Sequence, residues 1–232
     1  MDQEFDQFSS DYSTLLHDPI RERFAPGSQF FHERKWLLLR EWCARAGLET
    51  ERENWLDIGC GKGDLLRLGK SSFDHVVGCD PSVGMLQGVD DLEVIQQTAP
   101  DRLPFADSRV GLATAVCVYH HVEPQNRAAL TREIVRVLKP GGIFAIIEHN
   151  PFNPLTQLIV SRTPVDADAR LLTASTARKL LKGAGLTLIG TSYFLYLPEG
   201  LYRKFGRLEG WLGGVPLGGQ YIALGRKASD GE

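Results

Sequence analysis

The chain has 232 residues, 43% of them hydrophobic and 24% charged, and its 26 Lys+Arg against 29 Asp+Glu give a formal net charge of -3 at pH 7. This length can bury a full hydrophobic core, and this composition excludes an extended disordered chain. The apolar runs are too short to cross a bilayer, the acidic start 1–6 differs from a basic secretory signal, and the balanced charge gives no bulk attraction to nucleic acid. We therefore expect a cytoplasmic globular protein.

The N-terminal segment up to residue 53 is predicted to be helical. Its packing surface is supplied by large apolar side chains, namely Phe30, Phe31, Leu37, Leu38 and Trp42. We interpret 1–53 as a helical cap on the domain that follows, with Tyr12 and His17 able to fold over a ligand held by that domain.

From Asn54 onward, short apolar runs alternate with helical stretches, which is typical of a parallel sheet covered by helices. The predicted strands are 55–58, 75–80, 92–96, 111–119 and 143–148. The predicted helices are 64–70, a short helix through Met85, and 125–138. The run 143–148 is apolar almost throughout, as expected of a strand that is covered on both faces.

The rest of the chain predicts a Pro-rich loop at 149–154, a helix at 175–182, and strands at 186–197 and 219–224. An insertion, 198–218, separates those two strands. We interpret 1–232 as a single α/β domain with a helical cap (1–53), a core (54–150) and a C-terminal part (151–232).

A glycine-rich turn, 56–63, is the strongest local signal (Leu-Asp-Ile-Gly-Cys-Gly-Lys-Gly). Glycines between a strand and a helix let backbone amides approach a ligand, and Asp80 at the end of the next strand can accept hydrogen bonds from ribose hydroxyls. Dinucleotide sites use G-x-G-x-x-G, whereas this turn reads G-x-G-x-G and is preceded by Asp57. Because a carboxylate there would repel a pyrophosphate and attract an ammonium group, we favour an amino-acid nucleoside as the ligand.

Five motifs occur in a fixed order: 56–63, Gly-Cys-Asp-Pro-Ser (78–82), Leu-Pro-Phe (103–105), Tyr-His-His-Val (119–122) and Val-Leu-Lys-Pro-Gly-Gly (137–142). On these motifs, which cover 55–150, the chain resembles the class I S-adenosylmethionine-dependent methyltransferases. It is similar to the small-molecule branch that contains the ubiquinone and menaquinone biosynthesis enzymes. The resemblance implies a Rossmann-like, seven-stranded, mostly parallel sheet with helices on both faces and the last strand antiparallel. It also implies S-adenosyl-L-methionine as the cofactor.

The resemblance further implies which residues hold this methyl donor. The methionine end would lie on Asp57, Gly59, Cys60 and Gly61, the ribose on Asp80, the adenine along Pro81 and Met85, and the amino-acid part also beside Val116 and Cys117. Many relatives carry an acidic adenine-binding residue where this chain has Ala99. We expect backbone groups at Thr98 and Ala99 to make that contact instead.

Methyl transfer is an in-line displacement that needs an oriented nucleophile and, for a hydroxyl acceptor, a base with a pKa near 7. The candidates are His120 and His121, after the fourth strand, and His149, after the fifth. Neighbouring side chains on an extended chain point to opposite faces, so we predict that His120 and His121 share no metal ion. The acceptor is expected to be a small organic molecule that is methylated at a hydroxyl or an activated carbon. We expect it to bind against the part of the chain formed by 151–232.

Other interpretations remain open at this point. A nucleotide-dependent oxidoreductase and a catalytically inactive module that binds S-adenosylmethionine are the alternatives. Nucleic acid is disfavoured, because Asn150-Pro151-Phe152 follows the fifth strand rather than the fourth, where nucleic-acid amino-methyltransferases carry a similar signature. Within the insertion, a stripe at 201–212 has Leu201, Phe205, Leu208 and Leu212 at helical spacing among basic residues. We favour the interpretation that this stripe docks on its own domain. The alternative is weak contact with a membrane surface or an anionic substrate.

Overall fold

A computed structural model describes residue 6, residues 8–99 and residues 101–229 of the chain. Within these residues, seven strands form one sheet in the order β3-β2-β1-β4-β5-β7-β6. The strands are β1 (Asn54–Ile58), β2 (His75–Asp80), β3 (Glu93–Gln96), β4 (Val110–Val116), β5 (Leu138–His149), β6 (Thr187–Phe194) and β7 (Gln220–Arg226). Strand β7 runs antiparallel to both of its neighbours, and the pairs among β1 to β5 are parallel. The predicted fold class is confirmed.

Helices cover both faces of this sheet. The described α-helices are α1 (Tyr12–Leu15), α2 (Pro19–Phe24), α3 (Gln29–Arg45), α4 (Asp64–Gly69), α5 (Val83–Leu86), α6 (Arg127–Val137), α7 (Pro154–Val160), α8 (Ala174–Gly183) and α9 (Glu199–Leu212). Side chains of α6 and α8 form one core layer with Phe144 and Ile146, while α3 and α4 form the other with Ile143, Ala145 and Ile147. Alternate residues of β5 thus enter opposite layers, which explains its continuous apolar run. No described helix is both long enough and apolar enough to span a membrane.

The helical cap is anchored to the sheet through α3. Trp36 stacks on Trp55 of β1 at a ring-centroid distance of 5.7 Å, and Phe73 packs against both rings. Leu39 and Cys43, further along α3, are fully buried in the same layer. The helical prediction for the N-terminal segment is therefore confirmed where the structure describes it, and 1–5 and residue 7 lie outside the described residues.

The fourth strand is shorter than predicted. It ends at Val116, because Cys117 has φ 57, a left-handed conformation that takes the chain out of the strand. A tight turn follows, in which His121 N–H donates to Val118 O and Val122 N–H to Tyr119 O. The prediction that the strand reaches Tyr119 was wrong, and the two adjacent histidines lie in a turn instead.

The segment after β5 contains a helix that the sequence analysis missed. Helix α7 begins within the Pro-rich stretch, where Pro154 occupies its first turn and Asn153 Oδ1 accepts the Thr156 N–H at 2.9 Å. Proline is well tolerated at this position because its missing N–H has no helical partner there. The Pro-rich loop is therefore also the cap of a helix.

Helix α9 in the insertion buries a different face from the one predicted. Its inward residues are Tyr202, which is half-buried, and Glu209, which is buried and pairs with Arg34 of α3 at 2.5 Å. The Arg34 guanidinium also lies 3.8 Å from the centre of the Tyr202 ring. The predicted docking stripe faces outward instead, with Phe205 52% and Leu208 53% exposed. The interpretation that the stripe docks on its own domain was wrong. The helix is attached instead by the Glu209–Arg34 ion pair and by Tyr202, whose ring centroid lies 5.6 Å from that of Phe30.

Candidate active site

A cavity of about 800 Å³ opens at the carboxyl ends of β1, β4 and β5. Its walls come from the glycine-rich turn, the ends of β4 and β5, helices α1 to α3, and helix α7. In open α/β sheets, ligands bind at this end of the strands, next to the point where the strand order reverses. Here β1 lies between β2 and β4, so this reversal is at the glycine-rich turn.

Three glycines of the turn adopt left-handed backbone conformations, with φ of 67° at Gly59, 54° at Gly61 and 77° at Gly63. A Cβ at Gly59 would lie 2.5 Å from a methyl group of Val118, so a side chain there would collide with the wall formed after β4. Glycine is required here both by conformation and by space. The turn therefore keeps its backbone next to the cavity.

Asp57 lies at the base of the turn, is almost fully buried, and lines the cavity. Its Oδ1 accepts the Thr114 hydroxyl at 2.5 Å, and Thr114 Oγ1 in turn accepts the indole N–H of Trp55 at 2.8 Å. Burial raises the pKa of Asp57 to about 7, despite the opposing effect of the Thr114 hydrogen bond. A carboxylate fixed in this way favours a cationic ligand group, because an ion pair with it would compensate for the contacts with water that burial has removed.

Asp80 ties the glycine-rich turn to the loop after β2. One carboxylate oxygen accepts the Gly61 N–H and the other accepts the Ser82 N–H, both at 2.9 Å. Burial raises the pKa of this carboxyl group. The side chain is therefore held by backbone groups at the rim of the site.

The structure brings most of the predicted site residues together. The predicted donor-binding residues that line the cavity are Asp57, Gly59, Cys60, Gly61, Met85, Val116 and Cys117, and the histidines that line it are His120, His121 and His149. Among the described residues, the predicted positions that do not line it are Asp80, Pro81, Thr98 and Ala99. The Ala99 carbonyl accepts the side-chain amide of Gln97, and the expected adenine contact there stays a prediction.

A cluster of histidines forms part of the cavity wall. His120 is buried, with its Nδ1 2.6 Å from Glu148 Oε2 and its Nε2 3.3 Å from Asp166 Oδ1. His121 Nε2 lies 3.4 Å from the same Asp166 oxygen, and the His149 ring centre is 5.2 Å from that of His120. Burial opposes a charge on His120, but the Glu148 and Asp166 carboxylates outweigh it and hold the pKa of His120 well above its usual range.

The assumption that the adjacent histidines point apart was wrong. The turn after Cys117 brings the rings of His120 and His121 to a centroid distance of 4.1 Å, and both face Asp166. The rule of opposite faces applies to extended chain, and this segment is not extended.

Two functional candidates had no sequence signal. Asp166 ends a 3₁₀ turn, Pro164–Asp166, far along the chain from the histidines it meets. Lys35 is buried on α3, with its Nζ 3.8 Å from Cys117 Sγ. Burial raises the pKa of the Cys117 thiol, but the Lys35 ammonium and His149 outweigh this and lower it to about 7.

Tyr12 does line the cavity, whereas His17 pairs with Glu22 instead.

The remaining cavity wall is mostly apolar. It is formed by side chains of α2, α3, α7, the 3₁₀ turn and the end of β6, namely Phe24, Phe31, Leu155, Ile159, Val160, Val165, Leu195 and Tyr196. The C-terminal part of the chain thus supplies most of this wall. An apolar compartment with a polar cluster at one side is typical of small-molecule sites.

Residues 56–146 match the family described as "Methyltransferase domain". A tRNA (carboxymethyluridine(34)-5-O)-methyltransferase of Arabidopsis thaliana is 35% identical over 48% of this chain and 28% of its own length. A demethylmenaquinone methyltransferase of Symbiobacterium thermophilum is 31% identical over 61% of each chain. A solved structure described as a possible histamine N-methyltransferase from Thermotoga maritima superposes with a TM-score of 0.67, covering 98% of this chain and all of that one at 18% identity. These similarities confirm the resemblance stated from the motifs.

The chain covers less than two thirds of the length of the curated relatives named above. The names of several relatives refer to tRNA, and another similar structure, at TM-score 0.62 and 20% identity, is a Haloferax volcanii methyltransferase in complex with the Trm112 activator. The expectation that no nucleic acid is bound therefore stays a prediction.

Proposed function

We propose, from the premise that 56–146 form a class I S-adenosylmethionine-dependent methyltransferase domain, that the chain transfers a methyl group to a small, largely apolar acceptor. The observation that carries this proposal is that one cavity is lined both by Asp57 with the glycine-rich turn and by the histidine cluster with its apolar neighbours. A donor and an acceptor need this kind of juxtaposition for in-line displacement.

In this proposal the sulfonium group of S-adenosylmethionine supplies the activated methyl. Asp57 would pair with the donor's ammonium group, and backbone amides at Gly59 to Gly61 would approach its amino-acid part. Val116 and Cys117 would lie beside that part, Asp80 would meet the ribose from the rim, and the adenine would extend along Pro81 and Met85 towards Thr98 and Ala99.

The acceptor would lie against the histidines, where a hydroxyl or an activated carbon could be oriented and deprotonated. His120 is a positioning residue in this scheme, because both of its ring nitrogens face carboxylates. His121 and His149 line the cavity and are less buried, so they are the bases that an acceptor could reach. The apolar wall favours an acceptor with an aromatic or aliphatic body.

The deciding experiment follows labelled methyl from S-adenosylmethionine into a panel of phenols, quinols and long-chain alcohols, with tRNA as a separate arm. Calorimetric titration with the donor and with reduced nicotinamide cofactors runs in parallel. Donor binding with transfer to an apolar acceptor supports the proposal. Binding of a nicotinamide cofactor alone would favour the oxidoreductase. Donor binding without transfer to any acceptor would favour the inactive module. Transfer to tRNA alone would overturn the proposal of a small-molecule acceptor.

The affinity for S-adenosylmethionine is expected to depend on pH through Asp57. The pKa of this carboxyl group is raised to about 7, so below that pH it is neutral and cannot pair with the donor's ammonium group. The affinity should rise about tenfold per pH unit up to pH 7 and then level off, as linkage to one proton requires. Calorimetry from about pH 5.5 to 7.5 measures this, in the range where the ammonium group itself keeps its proton.

The matched variants are Asp57→Asn and Asp90→Asn, the second on an exposed loop. Asp57→Asn should bind the donor more weakly at pH 7.5 and lose the pH dependence, while Asp90→Asn should behave as the wild type. A wild-type affinity that does not change with pH would contradict the assignment of Asp57.

We further propose that the outward face of α9 meets an anionic membrane surface. Phe205, Leu208 and Trp211 are exposed on it, Trp211 at 87%, beside Lys204 and Arg207. Tryptophan and basic residues on one helix are typical of interfacial binding. Leu155 and Leu217 are exposed as well, and Leu155 is part of the cavity wall. A hydrogen bond from Asn153 Nδ2 to Leu217 O at 2.7 Å joins the two segments that carry them.

Co-sedimentation with vesicles tests this surface. The triple variant Arg203→Ala/Lys204→Ala/Arg207→Ala should bind anionic vesicles about 100-fold more weakly, at about 1 kcal/mol for each cation near the surface. The control removes three exposed cations of α8, Arg178, Lys179 and Lys182, and should bind normally. Equal binding by both triple variants, or no sedimentation of the wild type with anionic lipid, would end the membrane proposal.

A further inference from the structure

Three potential metal-ligand atoms converge in the histidine cluster. His120 Nε2, His121 Nε2 and an oxygen of Asp166 all lie within 4.8 Å of one another. The two nitrogens are 3.3 Å and 3.4 Å from the same oxygen, Asp166 Oδ1. All three residues line the cavity.

The two nitrogen-to-oxygen separations match two edges of a tetrahedral coordination sphere. Zinc lies about 2.0–2.1 Å from histidine nitrogen and about 2.0–2.2 Å from carboxylate oxygen, so two of its tetrahedral ligands are about 3.3–3.5 Å apart. A direct hydrogen bond between a charged histidine and a carboxylate is shorter, about 2.7–2.9 Å. The neighbouring contact between His120 Nδ1 and Glu148 Oε2, at 2.6 Å, has that shorter length.

Glu148 provides the support that metal-bound histidines use. Its Oε2 faces His120 Nδ1, and its Oε1 accepts the Tyr119 N–H at 2.7 Å, so the carboxylate is fixed at both oxygens. An ion would displace the proton on Nε2, while the proton on Nδ1 stays hydrogen-bonded to Glu148 and the carboxylate makes Nε2 more basic. The side chains of His120 and Glu148 are buried, so the ring cannot turn away.

We propose that His120, His121 and Asp166 bind one divalent transition-metal ion, with the fourth coordination position open to the cavity. Two imidazoles and one carboxylate form the type of ligand set that zinc uses at open sites. Ion binding does not depend on the methyl transfer proposed above. Where that transfer holds, His121 would bind the ion instead of acting as a base, which leaves His149 in that role. The ion would lie on the acceptor side and lower the pKa of an acceptor hydroxyl. The prediction that the adjacent histidines share no ion rested on an extended chain, which this turn is not.

The test uses the full chain without a polyhistidine tag, stripped with a chelator and titrated with Co²⁺. The visible absorption of four-coordinate Co²⁺ reports binding, competition with Zn²⁺ gives the zinc affinity, and the metal content after dialysis gives the stoichiometry. The wild type should bind one ion per chain. Because replacing a supporting carboxylate alone costs about 10- to 100-fold, we expect Glu148→Gln to weaken binding in that range and Asp166→Asn or His121→Ala to weaken it further.

His75→Ala is the matched control, since His75 is exposed at the amino end of β2, whereas the cavity opens at the carboxyl ends of the strands. Circular dichroism establishes that each variant is folded, and donor calorimetry on the same samples separates this proposal from the proposed function. Binding lost in Asp166→Asn and His121→Ala but kept in His75→Ala supports the site. A wild type without a bound ion, or equal affinity in all variants, overturns it whether or not the donor binds.

Discussion

Replacing Asp80 with alanine is expected to weaken the binding of S-adenosylmethionine by about 100-fold or more. The side chain anchors both loops that frame the donor end of the cavity, through the Gly61 and Ser82 N–H groups at 2.9 Å. A hydrogen bond to a charged group contributes about 1.5–3 kcal/mol, and a factor of ten in affinity corresponds to about 1.4 kcal/mol. Without these bonds both loops would be ordered only when the donor binds, so up to this free energy would be taken from its affinity, in addition to any lost contact with the ribose.

Calorimetry at one fixed pH measures this effect. Asp80→Asn should be intermediate, because the amide keeps one acceptor oxygen, and Asp90→Ala should match the wild type. If Asp80→Ala bound the donor within about threefold of the wild type, a difference of under 1 kcal/mol, neither the anchoring role nor the ribose contact could be maintained.

Glu148→Ala is expected to lower the free energy of unfolding by about 3–5 kcal/mol, the usual cost of removing one partner of a buried ion pair. The substitution leaves His120 beside an empty space and leaves the buried Tyr119 N–H without its acceptor. Urea unfolding followed by circular dichroism measures the change, with the slope of the transition checked for constancy.

Glu123 offers the matched comparison, because its ion pair with Arg170 is exposed. Glu123→Ala should cost at most about 1 kcal/mol. Glu148→Gln, which keeps an acceptor for Tyr119 N–H but not the charge, should lie between the two. If the free energy of unfolding of Glu148→Ala lay within about 1 kcal/mol of the wild-type value, the histidine cluster would not be held by this carboxylate.

Local sequence patterns were sufficient for the sheet and for the glycine-rich turn. Strands such as β1 and β5 are apolar because both of their faces are covered, and this can be recognised without knowledge of the packing. The glycines at 59, 61 and 63 have left-handed conformations that few other residues adopt, so the turn could also be predicted locally.

The histidine cluster could not be predicted in this way. The turn that brings His120 and His121 together begins at Cys117, whose left-handed conformation has no glycine to signal it. The Cys117 N–H donates to Ile147 O on the neighbouring strand β5, a partner that is distant in sequence. Asp166 reaches the cluster from a loop with no recognisable motif. These features arise from contacts between distant segments, so a pattern of nearby residues does not contain them.

Helix α9 illustrates a related limit. Its sequence has two plausible inward faces, one apolar and one that contains Tyr202 and Glu209. The structure buries the second, because Arg34 of α3 supplies a partner for Glu209. Since Arg34 lies far away in the chain, periodicity alone favoured the wrong face.

The stacking of Trp36 on Trp55 has a consequence for how ligands enter and leave. Trp55 is two residues from Asp57, so lifting α3 would uncover the strand that carries Asp57. By contrast, α2 has no buried residue of its own, although Asp18 and Ala25, which flank it, are buried. Segments with few buried contacts open at the lowest free energy. Movement of α1 and α2 should therefore open the cavity at a lower free energy than movement of α3.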